Sequence, residues 1–423
     1  MAAMPDERES STAVTVPPPD PTAPAALLTD SADPSRPPAK PFRLGNRPAL
    51  TGIRALCMVV VVYFHFSGLR WPQGAWAPLG IFFVLSGFLI TSMLAGEHQR
   101  TGRISLKKFY SLRAVRLLPP LLLTISLIGI YSLFVYVRDA SNRIWSDSAA
   151  ALFNFADYRS AFEHEPPAPF LSQCWSLAVE EQFYVIWVVL LVVALKFGNR
   201  KIAYAIAITG MAACTGNRLW IVFHHPWSTQ VADRVYYSFD TRGDALFLGC
   251  LLGLIATGGH LVNWKPWALR TVTVLAAVSL VVLLWIIGNV SVLDRGMYIQ
   301  WLPVSEIASA VVIVYFVVRP KGWGTRVVGL SVLVLLGNMS YAIYLIHWPL
   351  FIAINSSTVP WGFWTINAVR MAILVPLAAG SWYLMEQPLM RWRRRAEAAT
   401  PTDGVGTATA TATVPASSTA TKP

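Results

Sequence analysis

Residues Leu50 to Gly68 read LTGIRALCMVVVVYFHFSG, a mostly apolar stretch long enough to cross the hydrocarbon core of a bilayer as one helix. Arg54 and His65 interrupt it, eleven positions apart. At about 1.5 Å and 100° per residue, roughly 16 Å of rise and about 20° of rotation separate them, so both lie on one stripe. Ionisable groups inside a membrane span usually mark a functional site, and we interpret His65 in this way. The role of Arg54 is left open, because its long side chain could also extend its charged group to the lipid headgroups.

The rest of the chain has the composition of a membrane protein. Of its 423 residues, 55% are hydrophobic and 13% are charged, whereas a soluble domain carries roughly 25% charged residues. The sequence therefore predicts an all-α, polytopic integral membrane bundle with about ten transmembrane helices. These spans are expected near residues 50–68, 77–95, 117–137, 175–196, 202–223, 243–258, 268–288, 300–318, 328–350 and 362–385.

Charge indicates the orientation of these spans. The net charge is +12, from 34 basic and 22 acidic residues. In a soluble protein this excess would suggest a nucleic-acid partner, but here the basic residues cluster between spans, and no nucleic acid is predicted. The basic clusters follow the even-numbered spans, while the long connection 138–174 is richer in acidic residues. The positive-inside rule then places both termini in the cytoplasm. The spans themselves are expected to contact the lipid bilayer.

Three segments are predicted from composition. Residues 1–47 contain ten prolines and no long apolar run, which is typical of a disordered cytoplasmic tail. Residues 48–392 form the transmembrane domain, and residues 393–423 form a basic and then Thr/Ala-rich disordered tail. The four cysteines are scattered, and His224-His225 lack a third ligand at metal spacing, so neither a disulfide framework nor a metal site is predicted.

A pair of arginines precedes the third span. Arg113 and Arg116 are three positions apart, so they share a helix face just before Pro119-Pro120. Two adjacent guanidinium groups at a membrane surface can hold phosphates bidentately. The same pair could simply anchor the helix to anionic lipid.

The fourth span opens with WSLAVEEQFY and carries two carboxylates. A carboxylate within an apolar helix costs several kcal/mol unless it is paired, so Glu180 and Glu181 need partners. Glu180 shares a face with Tyr184, four residues on, while Glu181 points about 100° away. Glu180 could orient an imidazole as the third member of a catalytic triad does, or either carboxylate could form a structural ion pair.

Two later stretches also combine polar groups. In the sequence DTRGD, Asp240, Arg242 and Asp244 alternate around a turn and could hold a sugar or a diol, or form a local salt-bridge network. In SYAIYLIHWP, His347 is the one clear rival to His65 as a base, and Ser340 and Tyr344 precede it. Glu386, at the end of the last span, is expected at the membrane interface.

Together these stretches resemble the acyltransferase-3 family of polytopic bacterial membrane acyltransferases. The matching motifs occur in family order over residues 48–392: Arg-x10-His (Arg54, His65), FFVLSGF (Phe82 to Phe88), Arg-x-x-Arg (Arg113, Arg116), WSL-x-x-E-x-QFY (Trp175 to Tyr184), DTR-x-D (Asp240 to Asp244), SY-x-x-YL-x-HWP (Ser340 to Pro349) and E-x-P (Glu386 to Pro388). Each motif is weak alone, and their order makes the resemblance specific.

The resemblance implies ten spans in the bacterial plasma (inner) membrane and transfer of an acyl group, often acetyl, to a hydroxyl. The donor would be cytoplasmic acyl-CoA, a co-substrate and not a permanently bound cofactor. The acceptor would be a glycan, a lipid or a secondary metabolite such as a macrolide. The resemblance also implies that His65 is catalytic and that Arg54, Arg113 and Arg116 serve acyl-CoA. Many relatives carry a C-terminal SGNH hydrolase domain, and because a Thr/Ala-rich tail follows here instead, we expect no relay through such a domain and more weight for an antibiotic acceptor.

Acyl transfer to an alcohol needs a base, which we assign to His65, with Glu180 as its orienting partner. A covalent acyl-histidine is equally compatible with the sequence. We assign seven further residues to the acceptor: Asp240, Arg242, Asp244, Tyr184, Ser340, Tyr344 and His347. The alternative function is a proton-coupled transporter or flippase, which would also place Arg, His and Glu in a bundle but would show symmetry-related broken helices.

Overall fold

The structure is a computed structural model that describes residue 45 and residues 47–135, 138–163 and 170–399. Sixteen α-helices lie in these ranges: α1 Pro48–Phe66, α2 Ala77–Thr101, α3 Leu106–Val135, α4 Arg138–Leu152, α5 Ala156–Phe162, α6 Trp175–Lys196, α7 Arg200–His224, α8 Thr229–Tyr237, α9 Phe239–Thr257, α10 Pro266–Asn289, α11 Leu302–Val318, α12 Trp323–Val328, α13 Ser331–Asn338, α14 Ser340–Ala353, α15 Phe363–Gly380 and α16 Gln387–Ala399. Short 3₁₀ or π-helical turns lead into α6, α11 and α16.

The predicted all-α, polytopic membrane bundle is confirmed. Eight helical segments in the described ranges are long and apolar enough to cross a membrane, and α13 with α14 makes a ninth if this bent pair is one span. The predicted tails lie largely outside the described residues. The second predicted tail was expected to begin at residue 393, whereas α16 continues to Ala399.

The sixth predicted span, 243–258, corresponds to α9, which is not among these candidates. Its first two turns carry Asp240, Arg242 and Asp244, and the latter two are buried by neighbouring helices. Because protein and not lipid surrounds it, α9 does not need the apolar surface of a lipid-facing span. Glycines let α2 approach it closely: a Cβ at Gly87 would lie 2.0 Å from the Leu246 carbonyl oxygen.

Helix α1 packs against α12 and α13 in the same way. A Cβ at Gly52 would lie 1.8 Å from the carbonyl oxygen of Val328, and one at Gly337 would lie 2.0 Å from that of Thr51. Only glycine permits these backbone contacts. Immediately after this contact the chain bends by 64° between α13 and α14, so the predicted ninth span is broken at Met339.

Helix α3 begins about two turns before Arg113 and passes through Pro119 and Pro120 without ending. The predicted span 117–137 therefore lies largely within a longer helix that begins at Leu106. The hydroxyl of Thr124 donates a hydrogen bond to the Pro120 carbonyl oxygen at 2.9 Å.

The predicted connection 138–174 contains two helices, α4 and α5. Arg159 of α5 pairs with Asp147 of α4 at 2.6 Å, and Gln182 of α6 donates a hydrogen bond to Asp157 at 2.8 Å. Burial raises the pKa of the Asp157 carboxyl from 3.8 to about 6, against hydrogen bonds from Gln182 and the backbone that lower it.

Candidate active site

His65 lies in the last turn of α1 and contacts His347 of α14. The His65 Nδ1 atom is 3.1 Å from the His347 Nε2 atom, and the ring centroids are 5.0 Å apart. His347 is fully buried, whereas His65 is half-buried. The two predicted rival bases therefore form one pair.

Backbone carbonyls fix the proton positions in this pair. The His347 Nδ1 atom lies 2.7 Å from the Tyr344 carbonyl oxygen and 3.2 Å from that of Ile343. Because a carbonyl oxygen can only accept, His347 Nδ1 carries the proton, and the Nε2 atom of the neutral ring accepts. His65 Nδ1–H is then the donor to His347, so the lone pair of His65 is on Nε2.

Aromatic and hydroxyl groups surround the histidine pair. The indole of Trp348 meets the His65 ring edge-on at 4.8 Å, and Phe351 lies 6.1 Å away. Tyr344, one turn before His347, is 2.6 Å from the Ser176 hydroxyl and donates a hydrogen bond to the Gln173 carbonyl oxygen at 2.7 Å. This chain of contacts joins the pair to the start of α6.

The predicted orienting partner of His65, Glu180, occupies a different place. Tyr184 donates a hydrogen bond to Glu180 at 3.4 Å, and Ser86 contacts both side chains. Glu180 projects from the second turn of α6 and is within electrostatic range of Arg54 and Arg113. The side-chain hydrogen bond of the His65 ring is made with His347, a contact that spacing within one helix could not reveal, and the orienting role of Glu180 stays a prediction.

Arg113 is bound to protein groups. Its guanidinium forms an ion pair with Glu181 and stacks on the Tyr184 ring, 3.6 Å from the centroid. This contact supplies the partner that Glu181 needs in an apolar helix. It also places Tyr184 with the arginine cluster, away from the other residues assigned to the acceptor.

Arg54 and Arg116 form an arginine cluster with Arg113. Their guanidinium groups are bound to fewer protein groups than that of Arg113. Each lies within electrostatic range of Arg113 and Tyr184, and Arg54 sits over the Phe82 ring at 5.8 Å. In the described part of the chain, neither guanidinium has an ion-pair or hydrogen-bond partner. These two side chains can therefore donate hydrogen bonds to an anion without first losing a protein partner.

Glu386 was expected at the membrane interface, and the structure shows that its side chain is covered by protein. Its side chain is fully buried, 3.2 Å from the Ser381 hydroxyl and within electrostatic range of Arg54 and Arg116. The π-helical turn Ser381–Glu386 continues α15 and directs the carboxyl into the bundle. Sequence position at the end of a span did not indicate this direction.

The DTRGD residues separate into three environments. Asp240 is exposed and pairs with Arg234 at 2.6 Å, while buried Asp244 pairs with buried Arg218. Arg242 is also fully buried but bonds to neither aspartate. The salt-bridge alternative thus describes the two aspartates, and Arg242 is set apart.

Ser340 lies two turns before His347 on α14. Its buried hydroxyl has no hydrogen-bond partner in the described ranges and makes no contact with the histidine pair.

Sequence reasoning did not single out Ser86, Ser176 or Gln173. The first two lie inside the quoted motifs FFVLSGF and WSL, and their motif membership was the available signal.

Comparison with known proteins identifies a family for this chain. A family model described as an acyltransferase domain matches residues 47–386. The O-acetyltransferase OatA of Staphylococcus aureus is 28% identical over 377 residues, which cover 84% of this chain and 59% of that protein. The peptidoglycan O-acetyltransferase OatA of Listeria monocytogenes is 30% identical over 312 residues, covering 72% and 49%. This chain thus spans about half the length of these relatives, and no solved structure matches it.

The family model covers most of the chain, from before Arg54 to Glu386. Helices α1 to α15, the histidine pair and the arginine cluster all lie within the matched residues. The chain belongs to the acyltransferase-3 family.

Proposed function

We propose that the protein is a multi-pass plasma-membrane O-acetyltransferase that moves an acetyl group from cytoplasmic acyl-CoA to a hydroxyl of a cell-wall glycan. The observation that carries this proposal is the hydrogen bond between His65 and His347, which leaves the His65 Nε2 lone pair available on a half-buried ring. A neutral imidazole with one committed nitrogen is suited to general-base catalysis.

In the proposed reaction, His65 Nε2 takes the proton of the acceptor hydroxyl as its oxygen attacks the thioester carbonyl carbon. The C–O bond forms, the C–S bond breaks, and the imidazolium returns the proton to the departing thiolate of CoA. His347 Nε2 accepts the His65 Nδ1–H bond throughout and stabilises the positive charge on the His65 ring. A direct transfer of this kind needs no acyl-histidine, although the same nitrogen could form one.

The arginine cluster is proposed to hold the phosphates of acyl-CoA. Arg54 and Arg116 would donate to the phosphates, while Arg113, bound to Glu181, would fix the position of the cluster. A rise of roughly 16 Å separates Arg54 from His65 on α1, so the thioester arm would lie along this helix.

This mechanism requires the Arg54 end of α1 to face the cytoplasm. The charge bias of the connections supports this orientation, with both termini inside. All four native cysteines are buried, so single cysteines introduced at Ser146 and Gly322 can be labelled selectively with an impermeant maleimide. We expect Ser146→Cys to label from outside and Gly322→Cys only after permeabilisation; labelling of both from one side contradicts the topology.

The glycan is favoured over a lipid or a macrolide because the Listeria monocytogenes relative is a peptidoglycan O-acetyltransferase. The test supplies membranes containing the protein with labelled acetyl-CoA and, in separate reactions, a cell-wall glycan, a phospholipid and a macrolide. Label is expected on the glycan alone. Transfer to the macrolide alone overturns the glycan proposal, and no transfer to any acceptor overturns the activity.

The transporter or flippase alternative predicted symmetry-related broken helices. Within the described ranges one bent pair, α13 with α14, passes the length and hydropathy criteria for a span. A symmetry-related second pair is not found there, so the alternative gains no support from the described helices.

A further inference from the structure

Arg242 is a buried arginine whose guanidinium has no hydrogen-bond partner among the described residues. Its side chain is 0% exposed, and Nε, Nη1 and Nη2 all lack such a partner there. Leaving a buried charged donor unpaired is costly, so this guanidinium requires an explanation, and a bound ligand is one.

Arg218 shows that the fold can satisfy an arginine at this depth. It is also 0% exposed, but it pairs with Asp244 and donates to the carbonyl oxygens of Thr241 and Tyr298 at 2.6 and 3.2 Å. Both oxygens of Asp244 are already engaged, because Oδ2 also accepts from Thr215 and Oδ1 accepts from the backbone of Ala245. The same cluster therefore binds one arginine and leaves the other without a carboxylate.

Glu306 does not supply the carboxylate partner that Arg242 lacks. Its carboxyl is within electrostatic range of both arginines, yet no hydrogen bond or ion pair joins it to Arg242, and its Oε1 atom is itself unpartnered. The walls around Arg242 are aromatic instead, with the Tyr236 ring 5.3 Å and the Phe83 ring 5.9 Å from the guanidinium carbon. Aromatic faces position a guanidinium but leave its in-plane donors free.

The position of Arg242 links it to the histidine pair. It lies in the first turn of α9 beside Phe83, two turns into α2, and the short connection 67–76 joins the start of α2 to the His65 end of α1. Tyr236 packs on Trp175 at 5.0 Å, and the next residue, Ser176, contacts Tyr344. Arg242 is therefore near the end of the bundle that contains the proposed base.

We propose that Arg242 binds an oxyanion, a carboxylate or a phosphate, carried by the acceptor. The inference rests on the proposed function only in assigning the ligand to the acceptor. A planar guanidinium with free donors matches both groups bidentately. The phosphates of the donor have their own cluster at Arg54 and Arg116, which lies toward the other end of α1.

The test measures binding without turnover. Purified protein in nanodiscs of phosphatidylcholine, which has no net charge, is titrated calorimetrically with one cell-wall saccharide in three forms: free carboxylate, methyl ester and phosphate monoester. The variants are Arg242→Gln, Arg242→Lys and, as a matched control, Arg270→Gln, which changes an exposed arginine of α10. Acetyl transfer from acetyl-CoA is then measured on the same samples.

We expect the wild type and Arg270→Gln to bind the carboxylate or phosphate form roughly 10- to 150-fold more tightly than the methyl ester. Arg242→Gln should lose this preference while binding the ester as before, and Arg242→Lys should retain part of it. The KM for acetyl-CoA should not change. Equal binding of all forms by the wild type, or an equal loss for all forms in Arg242→Gln, overturns the inference.

The two proposals fail separately. If the charged forms bind through Arg242 but no acetyl group is transferred, the anion site stands and the proposed function fails. If the neutral ester is bound and acetylated as well as the charged forms, the function stands and the anion site fails. The wild-type comparison needs no variant, so poor folding of Arg242→Gln leaves the test intact.

Discussion

Two side-chain pairs join distant helices in this protein, and they are built differently. His65 and His347 link α1 to α14 through a hydrogen bond between two imidazoles, whose direction is set by backbone carbonyls. Arg113 and Glu181 link α3 to α6 through an ion pair stacked on Tyr184. The first pair leaves a lone pair available, and the second leaves no charge uncompensated.

The difference implies that the proposed sites of proton transfer and of anion binding are kept apart in this bundle. Arg54 belongs to the charged cluster and His65 to the imidazole pair, although one helix stripe carries both. A histidine close to three arginines would have a strongly altered basicity. Separation along α1 lets each group keep the property that its proposed role requires.

The largest effect should follow from removing the base. His65→Ala is expected to lower acetyl transfer by about 10²- to 10⁴-fold, the usual range for a general acid–base group. The protein should still accumulate, because the site is half-buried and truncation leaves space for water. The matched control is His224→Ala, an exposed histidine of α7. Wild-type transfer by His65→Ala membranes would falsify the mechanism.

The next effect should come from the charged cluster. Arg116→Ala is expected to raise the KM for acetyl-CoA roughly 10- to 150-fold with kcat nearly unchanged, because a guanidinium–phosphate contact is worth about 1.5–3 kcal/mol. Arg116→Lys should rescue poorly, since lysine lacks the bidentate fork. If Arg116 only anchors the helix to lipid, both variants will keep the wild-type donor KM.

Variants of Arg113 test whether its ion pair with Glu181 is the structural part of the arginine cluster. Because its guanidinium is bound to Glu181, Arg113→Ala should lower the thermal stability of the purified protein as well as donor use. The double variant Arg113→Met/Glu181→Met should recover part of that stability, measured by thermal unfolding in detergent. Equal stability of the single and double variants would show that the pair is not the structural part of the cluster.

A smaller effect is expected at His347. His347→Phe removes one hydrogen bond from His65, worth about 1 kcal/mol, and should lower kcat by roughly fivefold. His347→Gln can still accept from His65 Nδ1–H through its amide oxygen and should retain more activity. A merely structural role would instead make both variants equal in kcat and in the pH dependence of kcat.

The smallest expected effect concerns Asp157, whose titration could be mistaken for that of the histidine pair. The raised pKa of Asp157, about 6, is above its ordinary value of 3.8, so the folded state favours the protonated carboxyl. Its contribution to stability is full below about pH 4 and is lost as pH rises through 6. Asp157→Asn should remove this slope from thermal unfolding measured between pH 4 and 7, while leaving the pH dependence of kcat unchanged.

Much of the fold could be predicted from the sequence, because apolar length and charge bias act within single segments. The exceptions depend on neighbours: α9 tolerates buried charge because other helices cover it. The ends of α13 and α14 likewise depend on packing against α1.

The candidate site was predicted residue by residue, but its pairings were not. Spacing within a helix correctly grouped Glu180 with Tyr184, four residues apart. It could not show that His65 meets His347, 282 positions away, or that Asp244 pairs with Arg218 and not with Arg242. These contacts depend on how helices are arranged around one another, which the local pattern does not encode.

The break at Met339 gives α14 a direction that differs from that of α13. Glycine contacts hold α1 against α13, so the 64° bend separates a fixed arm from the arm that carries His347. His347 is eight residues beyond the bend, about 12 Å along the helix. A rotation of about 10° there would displace the ring by roughly 2 Å, more than the 3.1 Å hydrogen bond to His65 can absorb. A small angular change at one end of a short helix is thereby sufficient to connect or disconnect the base from its partner.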